Sequence, residues 1–247
     1  LYEYLSETKA VGKICVLATN EVESLGQKLL AESIARSQGI EPLRYSTFDV
    51  REENFDASLP GAQLIRRFEG LVRAKPDAVL LCGLGPEEVP QALFYIRQVG
   101  FTGPVVALNT QEPALFREME ELTEGLIFVG GYLQGDARSA YYDSLQLELM
   151  KEMVEWPIEA DVKLYALDSL LRLIRHAGRE AVHNPEVLRK TLDAPFKEQD
   201  PFFETSRPLR FIGEEIFSAN RQISIPILLS EFSEGNVRTV FHSELVN

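Results

Sequence analysis

Residues 74–82 read Ala74-Lys75-Pro76-Asp77-Ala78-Val79-Leu80-Leu81-Cys82, and this stretch decides the fold class. Upstream of it, Leu64, Ile65, Phe68, Leu71 and Val72 recur at helical spacing, which predicts a helix over 62–74. Lys75-Pro76-Asp77 breaks that helix, because proline restricts the residue before it and cannot continue the hydrogen-bond ladder. The five apolar residues Ala78 to Cys82 then read as a strand buried on both faces. A helix closed by a proline turn and followed by a continuously apolar strand is the joint of a parallel sheet.

The same alternation extends in both directions. Lys13 to Ala18 is the first strand, followed by a helix over 24–38 with Leu25, Leu29, Leu30 and Ile34 predicted on its core face and Gly39 closing it. A short strand is expected near Leu43 to Ser46. After Cys82 comes a helix from about Glu87 to Val99, then strands at Val105–Leu108 and Leu126–Val129, with a short helix opening at Pro113 between them. Right-handed crossovers need a helix between successive parallel strands, and each interval here supplies one.

The second half of the chain reads differently. Helices are expected over 139–154, 161–176 and 185–192, with Trp156-Pro157 between the first two. From Leu209 the pattern turns to β, and Ile223–Phe232 and Val237–Phe241 flank a turn at Ser233-Glu234-Gly235-Asn236. Helices followed by a hairpin make an α+β segment that needs a further layer to bury both of its faces.

Composition narrows the function classes. Of 247 residues, 45% are hydrophobic and 26% charged, a balance that supports a packed core and argues against disorder. The formal net charge of −13 repels phosphate backbones and anionic headgroups, so nucleic acid and membrane insertion are poor partner expectations. The longest apolar runs are strand-sized. No signal peptide opens the sequence, and the absence of an initiating Met marks it as a processed or trimmed product. Cys15 and Cys82 lie in apolar runs, have no metal-ligand spacing, and read as buried free thiols. His176, His183 and His242 form no metal pattern, and His176 suits a helix C-terminus. No nucleophile elbow, zinc-protease or phosphate-loop sequence is present, so neither a cofactor nor a catalytic group is expected.

In an open parallel sheet, ligands sit outside the carboxyl ends of the strands where the strand order reverses. That rule selects Thr19-Asn20-Glu21-Val22-Glu23-Ser24 after strand one, Gly83-Leu84-Gly85 after strand three, and Asn109-Thr110-Gln111-Glu112 after strand four. Each loop leads into a helix whose free N–H groups suit a carboxylate. Glu21, Glu23 and Glu112 are candidate partners for a ligand ammonium group, Asn20, Asn109 and Thr110 for hydrogen bonds, and Leu84 for an apolar part of the ligand, with Tyr132 near the end of the segment. Helix capping explains Ser24, Thr110 and Glu112 equally well. A dinucleotide loop at Gly83-Leu84-Gly85 is rejected, because Glu88 occupies the third glycine position and opposes a pyrophosphate.

Residues 11–26 (Val-Gly-Lys-Ile-Cys-Val-Leu-Ala-Thr-Asn-Glu-Val-Glu-Ser-Leu-Gly) resemble the strand–loop–helix start of the second lobe of type I periplasmic solute-binding proteins, in the branched-chain amino-acid receptor branch. The likeness continues through Asn54-Phe55-Asp56, Ala74 to Val79, Val99 to Val106, Glu124-Gly125-Leu126, and Tyr165-Ala166-Leu167-Asp168-Ser169-Leu170, and ends in the Gly-Asn hairpin. It implies an α/β fold whose doubly wound parallel sheet, in flavodoxin-like order, forms lobe two, with an α+β C-terminal portion of lobe one. The implied division is 1–10 as the last helix of lobe one, 11–133 as lobe two with a hinge crossing near 130–136, and 134–247 as the return to lobe one. Strands of the lobe-one sheet would then precede residue 1.

The implied function is extracytoplasmic capture of a small polar solute, an amino acid, amide or similar, by hinge closure for ABC-type uptake, with a membrane permease or receptor as partner and a periplasmic or extracellular location. The alternatives are the ligand-sensing input domain of a signalling receptor and a protein–protein module with a decayed cleft. An enzyme on a flavodoxin-like sheet is the remaining class. The family pattern often has Tyr where Leu25 and Leu167 stand, and a Gly-Ser-Asp type run where Leu108-Asn109-Thr110-Gln111 stands. Loss of a Tyr ring and hydroxyl removes an apolar wall and a donor from such a cleft.

Overall fold

The computed structural model describes residues 1–46, 53–85, 87–109, 116, 119–130, 139–152, 160–193, 202, 211–212, 222–223 and 227–242. The chain divides into two compact units, Leu1–Gly130 with Leu229–Phe241, and Gly131–Leu228 with His242–Asn247.

In the first unit, β1 (Lys13–Ala18) pairs in parallel with β2 (Glu41–Leu43) on one side and β3 (Ala78–Cys82) on the other. Next come β4 (Val105–Ala107) and β5 (Leu126–Gly130), each parallel to its neighbour. The five strands stand in the order 2-1-3-4-5, the doubly wound arrangement expected from the alternation. Strand alternation sends Ile14, Val16 and Ala18 to one face, with Leu80, Val106 and Ile127, and Cys15 and Leu17 to the other, with Val79, Leu81 and Phe128. Both faces are covered, which is why the strands read as unbroken apolar runs.

The 74–82 stretch acquires a physical explanation. α2 (Gly61–Ala74) ends on Lys75, which takes the left-handed conformation at φ 54°. Pro76 follows, and the Asp77 carboxylate then accepts hydrogen bonds from the Gly12 and Lys13 backbone N–H groups at 2.9 and 2.8 Å. Asp77 thus sets β3 in register against the first residue of β1. β2 lies two residues earlier than its periodicity predicts. It contains Pro42, which an edge strand tolerates because one side of its ladder needs no donor.

α3 (Glu88–Gln98) is fastened by Arg97, half-buried between the end of the helix and the β4–β5 crossover. Its guanidinium donates to four carbonyls: Leu122 at 3.1 Å, Phe101 at 2.9 Å, Gly103 at 2.8 Å and Glu124 at 2.7 Å. The short α4 (Glu120–Thr123) is part of the same crossover.

α1 (Val22–Ser37) departs from expectation. Apolar periodicity places Leu25, Leu29, Leu30 and Ile34 on the core face, yet the residues that pack inward are Ser24, Lys28, Ala31, Glu32 and Ala35. Lys28 is only 3% exposed, and its Nζ stands 3.5 Å from the buried Glu53 carboxylate. Glu53 also accepts from the Tyr45 and Ser46 backbone N–H groups at 2.9 and 2.8 Å, and Tyr45 donates its hydroxyl to the Glu53 carbonyl. Arg44 reaches both Glu53 and Glu32, at 3.4 and 3.7 Å. Burial pushes the Lys28 ammonium below the usual lysine range against the opposing pull of Glu53 and Glu32. Once this buried charge cluster lies under the helix, the apolar stripe has to face outward.

The closing hairpin, β8 (Leu228–Ser233) and β9 (Asn236–His242), forms where the turn residues predict it. Glu234 and Gly235 adopt φ 53° and 74°, the two positive values that a two-residue hairpin turn requires. Its place differs from the expected division at residue 134. The hairpin continues the first unit's sheet beyond β5, because the Gly125 N–H donates to the Phe232 carbonyl at 3.0 Å and Phe232 packs on Phe116 and Phe128. The N-terminal segment is tied to the same strand, since Tyr4 donates its hydroxyl to Glu231 at 3.1 Å and Lys9 pairs with it at 2.6 Å.

The second unit contains α5 (Ala140–Met150), α6 (Ala160–Ala177), α7 (Pro185–Leu192) and a two-stranded antiparallel pair, β6 (Phe211–Ile212) with β7 (Gln222–Ile223). Its core gathers Tyr142 and Tyr165 around Phe202, with ring centroids 5.4 and 4.9 Å from it. Asp168 clamps α5 to α6 by accepting from the Tyr141 hydroxyl at 2.8 Å and Arg172 Nε at 2.5 Å. Leu147, Leu167, Leu170 and Leu171 remain exposed on these helices.

Two stability measurements follow from this packing. Glu53→Ala leaves Lys28 charged and unpaired in the core and is expected to cost about 3 kcal/mol or more by urea unfolding, while Lys28→Met is neutral or stabilising. The buried Cys15 and Cys82 thiols are each pushed up to about 12, chiefly by burial. Up to the ordinary thiol value near 9 both the folded and unfolded chains hold these protons, so the thiols contribute no slope there. Above it the unfolded chain ionises first, so stability falls with rising pH by about 1.4 kcal/mol per unit for each thiol. Urea midpoints taken from pH 8 to about 11 should show that fall, and Cys82→Ala should remove one thiol's share of it.

Candidate functional site

The order 2-1-3-4-5 reverses between β1 and β3, and the crevice outside their carboxyl ends is where such sheets take ligands. A relay of hydroxyls closes its floor. Thr19 at the end of β1 donates from Oγ1 to Ser24 Oγ at 2.7 Å, and Ser24 donates to the Gly83 carbonyl after β3 at 3.3 Å. Gly83 sits at φ 68°, and a Cβ on it would lie 2.0 Å from Ser24 Oγ and 2.9 Å from Ser24 Cα. Only glycine permits this approach.

Above the relay stand three carboxamides. Asn20 accepts at Oδ1 from Nδ2 of Asn54 at 3.0 Å, and Asn109 donates from Nδ2 to the Leu84 carbonyl at 2.8 Å. The segment around Asn54 is brought to the end of β1 by a hydrogen bond from the Phe55 N–H to the Ala18 carbonyl at 2.8 Å, while Arg67 donates to the Asn54 carbonyl at 3.1 Å. The Asn54 side chain is buried, and its Oδ1 accepts no hydrogen bond from the described residues. Buried amide oxygens are rarely left so.

The structure distributes the expected site residues unevenly. Asn20, Glu21 and Glu23 lie at the crevice mouth, exposed, with Glu21 as the N-cap residue of α1 and Glu23 in its first turn. Asn109 lies at the end of β4, half-buried. Leu84 belongs to the first-unit core, where it packs with Leu81 and Val89, so its side chain presents no open apolar surface and its carbonyl is the group the site uses. Thr110, Glu112 and Tyr132 lie outside the described residues. Ser24 is the third residue of α1 and works through its side chain between the two loops instead of capping the helix. Glu88 accepts from the Gly85 N–H at 2.7 Å, a local closure of the β3 loop that again leaves no room for a pyrophosphate. Asn54 is the addition: it follows β2, a strand the crevice rule does not select, and its sequence signal is the Asn54-Phe55-Asp56 stretch of the family resemblance. No group of three or more metal-binding side chains occurs among the described residues.

No protein-family model matches the sequence, and no curated protein matches it. Solved structures do. The leucine-binding protein LivK of Thermotoga maritima superposes with a TM-score of 0.63 at 16% identity, over 98% of this chain and 63% of its own. An ABC transporter substrate-binding protein of Desulfitobacterium hafniense, in complex with leucine, gives 0.67 at 15% identity over 97% and 63%. The branched-chain amino-acid transporter substrate-binding protein LivJ of Streptococcus pneumoniae, in complex with isoleucine, gives 0.63 at 17% identity over 97% and 63%.

The chain has the type I periplasmic-binding-protein fold. It spans about 63% of the length of these neighbours. Within the type I fold, the carboxyl ends of β1 and β3 in this chain carry a hydroxyl relay and an asparagine pair, and the close approach of the two loops needs Gly83.

Gly83→Ala is the sharpest test of that floor. The added methyl collides with the α1 backbone at a left-handed position, so a loss of more than about 2 kcal/mol is expected in urea unfolding. Ser24→Ala, which only removes the relay hydroxyl, is expected to cost about 1 kcal/mol.

Proposed function

We propose that the chain is a large part of an extracytoplasmic solute-binding protein that captures a small polar solute, with aliphatic amino acids first in class, and delivers it to an ABC-type membrane permease. The observation that carries this reading is the β1–β3 switch point, where Thr19 and Ser24 join the loop after β1 to the Gly83 carbonyl, Asn54 bonds Asn20 at the end of β1, and Asn109 after β4 bonds the Leu84 carbonyl. Neutral amide and hydroxyl groups suit recognition of a zwitterion by hydrogen bonds, and the exposed Glu21 and Glu23 at the rim add an attraction for an ammonium group. The leucine and isoleucine complexes of the neighbouring structures support the ligand class.

Binding without chemical transformation also agrees with the groups present. Among the described residues, the relay of Thr19 and Ser24 ends on a carbonyl, which takes no proton from it. No helix of the described residues is long and apolar enough to cross a membrane. The location outside the cytoplasm is carried over from the resemblance to the transport proteins.

Titration of leucine, isoleucine, valine, glutamine and small organic acids tests the reading, followed by thermal shift and by side-chain amide NMR. A bound ligand raises the midpoint with concentration, by about 2.7 kcal/mol of stabilisation at a hundredfold excess over Kd. The side-chain amide signals of Asn20, Asn54 and Asn109 should move together, and Asn20→Ala should weaken binding about fivefold to tenfold. A flat response across the panel in both measurements overturns the solute-binding reading.

A further inference from the structure

The outward face of α1 is an apolar feature of the first unit that the packing of the described residues leaves unused. Val22 is 88% exposed, Leu29 65%, Leu30 62% and Ile34 39%, all on one helix. Single exposed leucines are ordinary, but a contiguous apolar stripe marks an interaction surface. The stripe does not result from an incomplete core beneath it. The inward face of the same helix is fully packed, and Lys28 with Glu53 fixes which face that is. The middle of the outward face carries no charge. Gly26 lies along it, and a Cβ there would meet nothing within 4 Å, so a second backbone can come close.

We propose that α1 pairs antiparallel with α1 of a second copy of this chain. The charges at its ends select that occupant and that direction. Glu21 is the N-cap residue and Glu23 lies in the first turn, while Arg36, the basic residue of the last turn, is largely exposed and stands 3.4 Å from the Glu32 carboxylate of its own helix, which leaves its remaining N–H groups to a partner. An antiparallel pair crossing near Leu29 places each Arg36 beside the partner's acidic first turn and aligns the two helix dipoles favourably. A parallel pair would set acid against acid. A nucleic acid or anionic membrane is disfavoured by the net charge of −13; the same charge acts between two copies of the chain, and in the self-pair the opposite charges at both rims oppose it locally. A 16-residue helix is about 24 Å long. A single pair of that length buries less than the ~1,600 Å² of a standard interface, so the dimer is a weak, reversible one with Kd on the order of 10–100 μM. The proposal does not depend on the solute-binding reading.

Sedimentation equilibrium on the 247-residue chain measures this directly. The wild type is expected to follow a monomer–dimer equilibrium. Leu29→Glu, at an exposed position that leaves the circular dichroism and urea midpoint unchanged, should weaken it at least about tenfold. Arg36→Glu should weaken it about twofold to fivefold, and adding Glu21→Arg should restore it. Leu170→Glu, on the exposed face of α6, should leave the constant as it was. A wild type that stays monomeric up to about 1 mM, well past the Kd expected for this area, overturns the proposal. So does a dimer that Leu29→Glu leaves intact or that Leu170→Glu dissolves. A monomer that instead binds phosphatidylcholine vesicles through Leu29 assigns the stripe to a lipid surface and overturns it as well.

Discussion

The buried pairing of Lys28 with Glu53 is the constraint on which the arrangement of the first unit turns. An ammonium group taken out of water costs several kcal/mol unless an opposite charge and hydrogen bonds meet it. Glu53 meets it from the segment after β2, and that carboxylate is itself held by the Tyr45 and Ser46 N–H groups. The pair therefore welds α1 to the β2–α2 connection. It sets the rotation of α1 about its own axis, and it holds the residues just after Glu53 against the end of β1. Two functional surfaces inherit their geometry from this contact. Asn54, the next residue in the chain, is delivered to Asn20 in the crevice, and the apolar stripe of α1 is delivered to the outside.

The crevice works by economy of charge. Among the described residues, the hydrogen-bonded side chains beyond the ends of β1, β2 and β4 include a threonine, a serine and three asparagines, none of them ionised at neutral pH. Glu21 and Glu23 stand exposed beside them, where water screens their charge. In the proposed solute site that arrangement separates attraction from recognition. The hydroxyl relay adds rigidity, because Thr19, Ser24 and the Gly83 carbonyl join the loop after β1 to the loop after β3. A site with loops pre-joined in this way loses less conformational freedom on binding.

The parts of this fold legible in the sequence are those written in local chemistry. Residues 74–82 announce a helix stop and a buried strand, both of which form as read, and the structure adds the left-handed cap at Lys75. The hairpin turn is legible because Glu234-Gly235 offers two residues able to take positive φ. What escapes the sequence is set by partners distant in the chain. The apolar period of α1 points Leu29, Leu30 and Ile34 inward, and nothing local reveals that Glu53, twenty-five residues beyond Lys28, claims the opposite face. The hairpin's place beside β5 depends on the Gly125 to Phe232 bond and on Phe116, all remote from the turn itself. Leu84, an apolar residue between two glycines, reads as a loop residue in sequence, and only the core beneath the loop reveals that its side chain is buried there.

The exposed apolar residues of the two units call for different explanations. On α6, Leu167, Leu170 and Leu171 lie beside a core in which, among the described residues, six are buried, and the described strands of this unit are one antiparallel pair. α1 is the opposite case. Its sheet is covered on both faces and its inward side is filled, so another strand or helix added to the core would find no vacancy under it. An apolar stripe that the fold has no use for, on a helix held in place by a costly buried charge, reflects a requirement from outside the fold. The helix could have taken the ordinary setting with leucines inward and lysine outward at a lower desolvation cost. That the structure holds the costlier setting is the strongest physical ground for treating the stripe as a contact surface.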